Sequence, residues 1–395
     1  MGNDLREKAL NLHREKQGKI ALQTKVSVDK PENLVLAYTP GVAEPCLEIH
    51  KDGDKVYEYT SKGNWVAVVT NGTAVLGLGD IGPAASLPVM EGKAALFKAF
   101  AGVDAFPICL NTKDVDEFVK AVKLLETSFG GINLEDIKAP ECMEIEEKLK
   151  ELCNIPVFHD DQHGTAVVAV AALINSLKVV GKELEDIRVV INGAGAAGIA
   201  IAKLLLEMKV KDIILCDSQG VLYEGRTSGM NKYKDEIARL TNKDGIKGSL
   251  EDAVVGADVF IGVSVANCLS FDVIKSMNED PIIMALANPV PEVSPDVAKK
   301  AGAKVVCTGR SDYPNQVNNV LAFPGIFKGA LDVRAKEINE EMKIAAAYAI
   351  AGLIGENELN EEYVIPDVFD KRVAENVAEA VSQAAIKTGV AQKRL

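Results

Sequence analysis

The chain has 395 residues, is 48% hydrophobic and 26% charged, and carries a formal net charge of −13. That size suits two cores rather than one, and the composition is ordinary for a folded chain. The acidic balance argues against nucleic acid or an anionic membrane as a main partner, because both bind basic patches. A small anionic substrate stays open, since a few buried Lys or Arg suffice to hold one.

The start, MGNDLREKALNLHREKQGK, is charged and predicts a helix from Asp4 to about Lys16, with no apolar run of signal-peptide type. Gly2 fits a myristoylation site poorly, because Arg6 stands where Ser or Thr is needed. No uninterrupted apolar stretch reaches membrane-spanning length. Seven scattered cysteines form no C-x-x-C pair. They read as reduced thiols, so a cytoplasmic location is expected.

LAYTPGVAEPCLEIHKD begins as loop and ends in a short helix; NWVAVVTNG is a buried strand closed by a turn. MEGKAALFKAFAG reads as a helix with Lys93 in its first turns, DAFPICLN as a strand, and VDEFVKAVKLLETSFG as a helix stopped by Gly130. A strand in GINLEDIKAP, a helix in CMEIEEKLKELC and a strand in IPVFHDD complete an alternating pattern, which implies a mainly parallel sheet. From about residue 163 the texture changes. GTAVVAVAALINSLKVVG is a long helix of small residues, followed by short β-rich runs (RVVIN, DIILCD, ADVFIGVS, PIIMALANP, AKVVCTG) separated by helical segments. The tail, from about 330, is rich in helix and Ala. The fold class expected is α/β: an N-terminal α/β substrate domain over 1–160, then a Rossmann-type, doubly wound parallel sheet with C-terminal helices over 161–395.

Two stretches match the G-x-G-x-x-G fingerprint of dinucleotide loops: Gly77, Gly79 and Gly82 in VLGLGDIGPA, and Gly193, Gly195 and Gly198 in VVINGAGAAGIA. The fingerprint requires a strand before it, a helix from its last Gly, and an acid about 20 residues on. The helix N-terminus then presents free N–H groups to the pyrophosphate. The second loop meets each condition, which makes Gly193, Ala194, Gly195, Ala196, Ala197 and Gly198 the phosphate cradle and Asp217 the acceptor for ribose hydroxyls. The first loop is expected to fail, because Pro83 and Pro88 follow it, no helix is expected at Gly82, and Asp80 would repel phosphate. Its glycines are read as permitting a tight turn or a close backbone approach.

Two acidic pairs lie beside apolar strands: Glu135-Asp136 in INLEDI and Asp160-Asp161 in FHDDQHGTA. Either pair alone could cap a helix, and Asp161 precedes one starting near Gly164. Two pairs in one domain make a site for a hard cation such as Mg²⁺ or Mn²⁺ plausible, since oxygen ligands suit it. His159 and His163 read as structural or as standing behind the ligands rather than as ligands themselves. Lys93 alone would be a surface charge and Tyr38 a half-buried aromatic.

LAYTPGVAEPC, VLGLGDIG, EGKAALFKAFAGVDAFPICL, INLEDI, FHDDQHGTA, ALANPVPE and TGRSDYPNQVNNVLAFPGIFKGALD together resemble the malic enzyme family in its short bacterial or archaeal form, over about residues 20–385. The resemblance implies oxidation of L-malate by NAD⁺ or NADP⁺ with Mg²⁺ or Mn²⁺, decarboxylation to pyruvate and CO₂, and a homodimer. It implies Tyr38 as general acid, Lys93 as general base and Asp160 as its acidic partner. Glu135, Asp136 and Asp161 match metal ligands, and Asn288, Asn318 and Asn319 match amides near substrate and nicotinamide. Burial and a nearby cation are expected to lower the Lys93 pKa. Larger relatives carry an arginine for a malate carboxylate where this chain has Ala74, so Arg310, or N–H groups around Gly72-Thr73, would have to meet that charge. Asp217 favours NAD⁺, whereas NADP-using relatives keep that acid and add a basic residue, a part open to Lys232 or Lys234. Three rivals stand beside this reading: a malolactic enzyme returning the hydride to give lactate, a nucleotide-sensing protein without catalysis, and a metal-independent amino-acid dehydrogenase.

Overall fold

The computed structural model describes residues 3–75 and 77–393. The chain runs through α1 Asn3–Lys16, α2 Pro31–Ala37, α3 Ala43–Lys51, α4 Val56–Tyr59, β1 Trp65–Thr70, α5 Pro83–Ala101, β2 Asp104–Cys109, α6 Val115–Leu125, β3 Gly131–Leu134, α7 Glu141–Leu152 and β4 Val157–His159. These strands form one parallel sheet in the order β2-β1-β3-β4, with Trp65 opposite Asp104 and Val66 opposite Gly131. In β1, five of the six residues of WVAVVT are buried, as expected where a sheet is covered on both faces.

A π-helical turn, Asp160–Gly164, leads into α8 Thr165–Val180. Then follow β5 Arg188–Asn192, α9 Ala196–Glu207, β6 Asp212–Asp217, β7 Gly220–Val221, α10 Lys232–Leu240, α11 Leu250–Val254, β8 Val259–Gly262, α12 Phe271–Lys275, β9 Ile282–Ala285, α13 Pro295–Lys300 and β10 Val305–Thr308. The second sheet has the order β10-β9-β8-β5-β6-β7, parallel except for β7. Its strand order reverses between β5 and β8, the switch point where doubly wound sheets bind ligands at their carboxyl ends. Alternation along β5 divides two cores: Val189 and Ile191 join the larger one and Val190 the smaller one around Phe260.

The helices α14 Phe323–Asp332, α15 Glu340–Ala351 and α16 Arg372–Lys387 close the chain. They do not stay with the second sheet. Phe323 and Phe327 of α14 meet Phe97 of α5 with ring centroids 4.7 and 5.3 Å apart, and Phe327 also meets Phe158 of β4 at 5.8 Å. The larger core is therefore continuous from the first sheet through α8 and α14 to one face of the second. The segment Asp160–Val180 has the length and mean hydropathy (1.5) of a membrane span, but α8 is buried within this core.

One expectation is overturned. A helix does begin immediately after Gly82, and Lys93 lies in its third turn rather than its first. Two prolines suggested loop, but Pro83 occupies the first helical position, where a missing N–H costs nothing, and Pro88 removes only one further bond.

Candidate active site

Lys93 descends from α5 into the space between the carboxyl ends of β3 and β4 and is only 6% exposed. Its ammonium donates to Glu135 Oε1 at 2.9 Å and to Asp160 Oδ2, and it stands 3.9 Å from the centroid of the Phe323 ring. Asp160 Oδ2 also accepts from Asn319 Nδ2, so two donors converge on one carboxylate oxygen. Asn133 Nδ2 holds Glu135 Oε2 at 2.9 Å. Gly164 is required here, because a Cβ on it would collide with the Asp160 carboxylate. Burial by itself would lower the Lys93 pKa, but Asp160, Glu135 and Asp161 outweigh it and raise it above the usual lysine value. The carboxylates around the ammonium thus oppose the effect of burial, and the expected depression presupposes a cation among them.

Asp136 adopts φ = 53°, a left-handed conformation that Asp tolerates better than most residues. Its N–H donates to Asp161 Oδ2 at 2.8 Å and its carbonyl accepts from Ala74 N–H at 3.0 Å. Asp161 therefore does not cap α8; the π-turn intervenes and turns it towards β3. Oxygens of Glu135, Asp136 and Asp161 lie within 4.8 Å of one another. Glu135 and Asp161 of this group, with Asp160, are the carboxylates that act on Lys93. An all-oxygen donor set with surplus buried negative charge fits a hard divalent cation. Desolvation is the main cause that holds buried His159 and half-buried His163 at about 4, which favours their neutral form beside this group.

At the second sheet, Gly193 has φ = 124° and a Cβ there would press on Val263 O at 2.7 Å. A Cβ on Gly198 would collide with the Gly193 carbonyl, whereas Gly195, which caps α9, faces open space. Ala194 is buried, and Ala196 and Ala197 open the helix. That is the shape a pyrophosphate needs. Asp217 ends β6 as expected, but its carboxylate is occupied. Arg226 grips both oxygens, Lys234 donates at 2.6 Å and Gln219 N–H at 2.9 Å. Lys232 points instead to Glu147 at 3.0 Å. Arg226, buried, escaped the sequence reading; its only signal was a basic residue shortly after the β6–β7 hairpin.

The first glycine loop also joins a strand to a helix, so helix context no longer separates the two loops. What does is the approach: β1 ends at Thr70, well before Gly77, and Asp80 turns outward to Lys113 at 2.6 Å. Gly72 and Gly82 touch backbone to backbone, with Gly82 N–H donating to Gly72 O at 3.0 Å, and any Cβ on Gly72 would collide with Gly82. Gly77 lies against the Asn288–Pro289 turn, its would-be Cβ 3.5 Å from the Pro289 ring. The loop thus bridges the first sheet to the strand ends of the second.

The remaining expected residues divide. Asn319 joins the lysine cluster, while the Asn318 side chain caps the following turn by accepting from Val320 N–H at 3.0 Å. Asn288 is exposed beside Gly309. Arg310 is held bidentately by Asp312, at 2.8 and 2.6 Å, and donates to Pro289 O at 3.0 Å. Tyr38 is 68% exposed, and no hydrogen bond among the described residues links it to Lys93.

Comparison with known proteins agrees with this geometry. Residues 16–150 match the family model "Malic enzyme, N-terminal domain" and residues 162–386 match "Malic enzyme, NAD binding domain". The chain is 66% identical over 388 residues to the "Bifunctional malic/malolactic enzyme" of Bacillus subtilis, covering 98% of this chain and 95% of that one. It is 59% identical over 376 residues to the "NAD-dependent malic enzyme" of Geobacillus stearothermophilus, covering 95% and 78%. The crystal structure of the NAD-dependent malic enzyme from Thermotoga maritima superimposes with a TM-score of 0.92 at 52% identity, over 95% of this chain and 98% of that one. With both family models matched in order and the buried lysine set among carboxylates between them, the chain belongs to the malic enzyme family, whose members are NAD(P)-dependent decarboxylating oxidoreductases.

Proposed function

We propose that the chain oxidises L-malate with NAD⁺ and releases pyruvate and CO₂, with residues 1–160 supplying most of the substrate site and 161–395 the nucleotide site. The observation that carries this reading is Lys93, buried in contact with Glu135 and Asp160 and next to the Asp136–Asp161 pair. As hydride leaves C2 for the nicotinamide, the C2 hydroxyl proton passes to Lys93 Nζ, so Lys93 must first be neutral. Asp160 Oδ2, in direct contact with Nζ, is the group placed to take that proton, and Asn319 steadies the resulting arrangement. Glu135, Asp136 and Asp161 would hold Mg²⁺ or Mn²⁺. Bound there, the cation would offset the carboxylate charge that keeps Lys93 protonated, polarise the C2 oxygen and steady the charge left when CO₂ departs. Tyr38 then donates a proton to C3. Arg310, gripping the Asn288–Pro289 turn, is the proposed anchor for a malate carboxylate, with Asp312 released when substrate arrives.

Tyr38 reaches the reaction through assembly. It follows the exposed Leu34 and Leu36 in the chain, and exposed apolar side chains of this kind are what subunit interfaces cover. A homodimer in the cytoplasm, with this segment seated on the second copy, completes the site. NAD⁺ is preferred because a 2′-phosphate would have to displace Asp217 from Arg226 and Lys234 and meet its negative charge.

The name of the Bacillus subtilis relative favours a second activity, conversion of malate to lactate without net NADH. One assay tests both. Malate is supplied with NAD⁺ or NADP⁺, with and without Mn²⁺, while reduced nicotinamide is followed by absorbance and pyruvate and lactate by NMR. Pyruvate with stoichiometric NADH supports the main reading. Lactate without NADH supports the second, and turnover that survives EDTA overturns the cation's part.

A further inference from the structure

Behind the lysine cluster lies a second buried charged network that takes no part in the steps above. Its centre is Glu146 of α7, 5% exposed. Glu146 Oε1 accepts the backbone N–H of His159 at 3.1 Å and Lys150 Nζ at 2.9 Å. Its Oε2 accepts Gln162 Nε2 at 3.3 Å and His163 Nε2 at 2.8 Å. Three of these donors bracket Asp160 and Asp161 in the chain, one before them and two after.

The bracket extends to the C-terminal helices. Lys343 of α15, buried, stands with Nζ 3.2 Å from His163 Nδ1 and also pairs with Glu340. An ammonium can only donate, so Nδ1 is the acceptor and Nε2 carries the proton given to Glu146. Among the described residues, no hydrogen bond joins Glu146 or Lys343 to Lys93, Glu135 or Asp161. Both act on the site only through the turn.

The turn needs holding. A π-turn is rare and forms poorly unless its surroundings impose it. Here it sends Asp160 to Lys93 and Asn319 while Asp161 goes to the Asp136 N–H. An ordinary helical turn at this point would redirect both side chains. Three donors from the turn and its flanks, meeting on one buried carboxylate, supply the constraint, and such charge-assisted bonds are the strong kind.

We propose that Glu146, braced through His163 by Lys343, is the positioning residue for the Asp160–Asp161 turn. It sets Asp161 at the spacing that Glu135 and Asp136 require for a divalent cation, and it keeps Asp160 on Lys93. This rests on the cation-binding reading above. Replacing Glu146 by Gln preserves volume but turns two acceptor positions into donors that face Gln162 and His163.

The test is Mn²⁺ binding to the intact protein, measured from the free-Mn²⁺ paramagnetic resonance signal, with NADH fluorescence titration and thermal melting alongside. Glu146→Gln is expected to weaken Mn²⁺ binding about 10–100-fold, the usual cost of removing a partner behind a metal ligand, with NADH affinity unchanged. Lys343→Met, which leaves the turn and Glu146 in place but frees the His163 ring, is expected to weaken it less, and it carries the test if Glu146→Gln does not fold. A purely structural role would lower the melting temperature and leave Mn²⁺ affinity at the wild-type value in the folded variant; that result overturns the proposal. Wild-type protein that binds no Mn²⁺ would instead overturn the cation reading, and this proposal with it.

Discussion

At the scale of single residues, the site is governed by charge held out of water. The carboxylates around Lys93 outweigh its burial and raise its pKa. Lys93→Met should therefore lower turnover by about 10²–10⁴-fold or more, while NADH titration shows the nucleotide site intact. At the second sheet, burial pushes Asp217 up, but Arg226, Lys234 and the Gln219 N–H outweigh it and hold it at about 2, below its ordinary 3.8. A carboxyl whose folded pKa is depressed binds fewer protons folded than unfolded between those two values. Its stabilising contribution is thus full above about pH 4 and is lost as pH falls towards 2. The melting-temperature gap between wild type and Asp217→Asn should narrow as pH is lowered from about 5.5 to about 3. The same variant should shift kcat/KM towards NADP⁺, because Arg226 and Lys234 are freed for a phosphate. Arg310→Ala should raise the KM for malate about tenfold or more, the loss of one charge-assisted carboxylate contact; an unchanged KM would remove Arg310 from the substrate site.

At the scale of elements, the two glycine loops are both strand-to-helix connections, and their glycines do different work. Gly195 faces open space at an ordinary backbone angle, whereas a Cβ at Gly198 would strike the Gly193 carbonyl. Gly195→Ala should keep the wild-type melting temperature and lose affinity for NAD⁺. Gly198→Ala should melt earlier, because α9 can no longer pack on the loop that feeds it. Gly79→Ala, at φ = 74°, should cost roughly 1 kcal/mol in stability and affect malate kinetics more than NADH binding. Helix α5 shows why the first loop was harder to read. Its prolines signal loop in a linear pattern, and only the position of Pro83 at the helix start makes them compatible.

At the scale of the whole molecule, α14 packs on the first sheet's layer through Phe97, Phe158, Phe323 and Phe327, within a core that continues to one face of the second sheet. The lysine cluster sits against that junction, with Asn319 reaching it from the turn just before α14. The exposed N-terminal segment follows a different logic, because Leu22, Leu34 and Leu36 have no cover within one chain. Leu36→Asp should shift the protein towards monomer in sedimentation velocity and lower malate turnover in parallel, with NADH binding retained. A variant that stays dimeric and fully active would detach this surface from the site.

The sequence by itself determined the alternation of strands and helices, the strand–glycine turn–helix pattern at Gly193–Gly198, the acid at the end of β6 and the two acidic pairs. These are local facts: periodicity, turn chemistry and spacing along one segment express them directly. The motifs quoted for the family resemblance placed Lys93 and Asn319 among the expected residues, but nothing local to either showed their surroundings. Only the tertiary structure decided the rest. It set three carboxylates from two distant segments around Lys93, where they oppose the lowering that burial alone would bring. It engaged Asp217 with Arg226, turned Asp161 away from a helix cap, and bracketed the Asp160–Asp161 turn with Glu146 and Lys343. Each of these depends on charges brought together across long stretches of chain into a medium that screens them weakly, and one-dimensional spacing does not record such meetings.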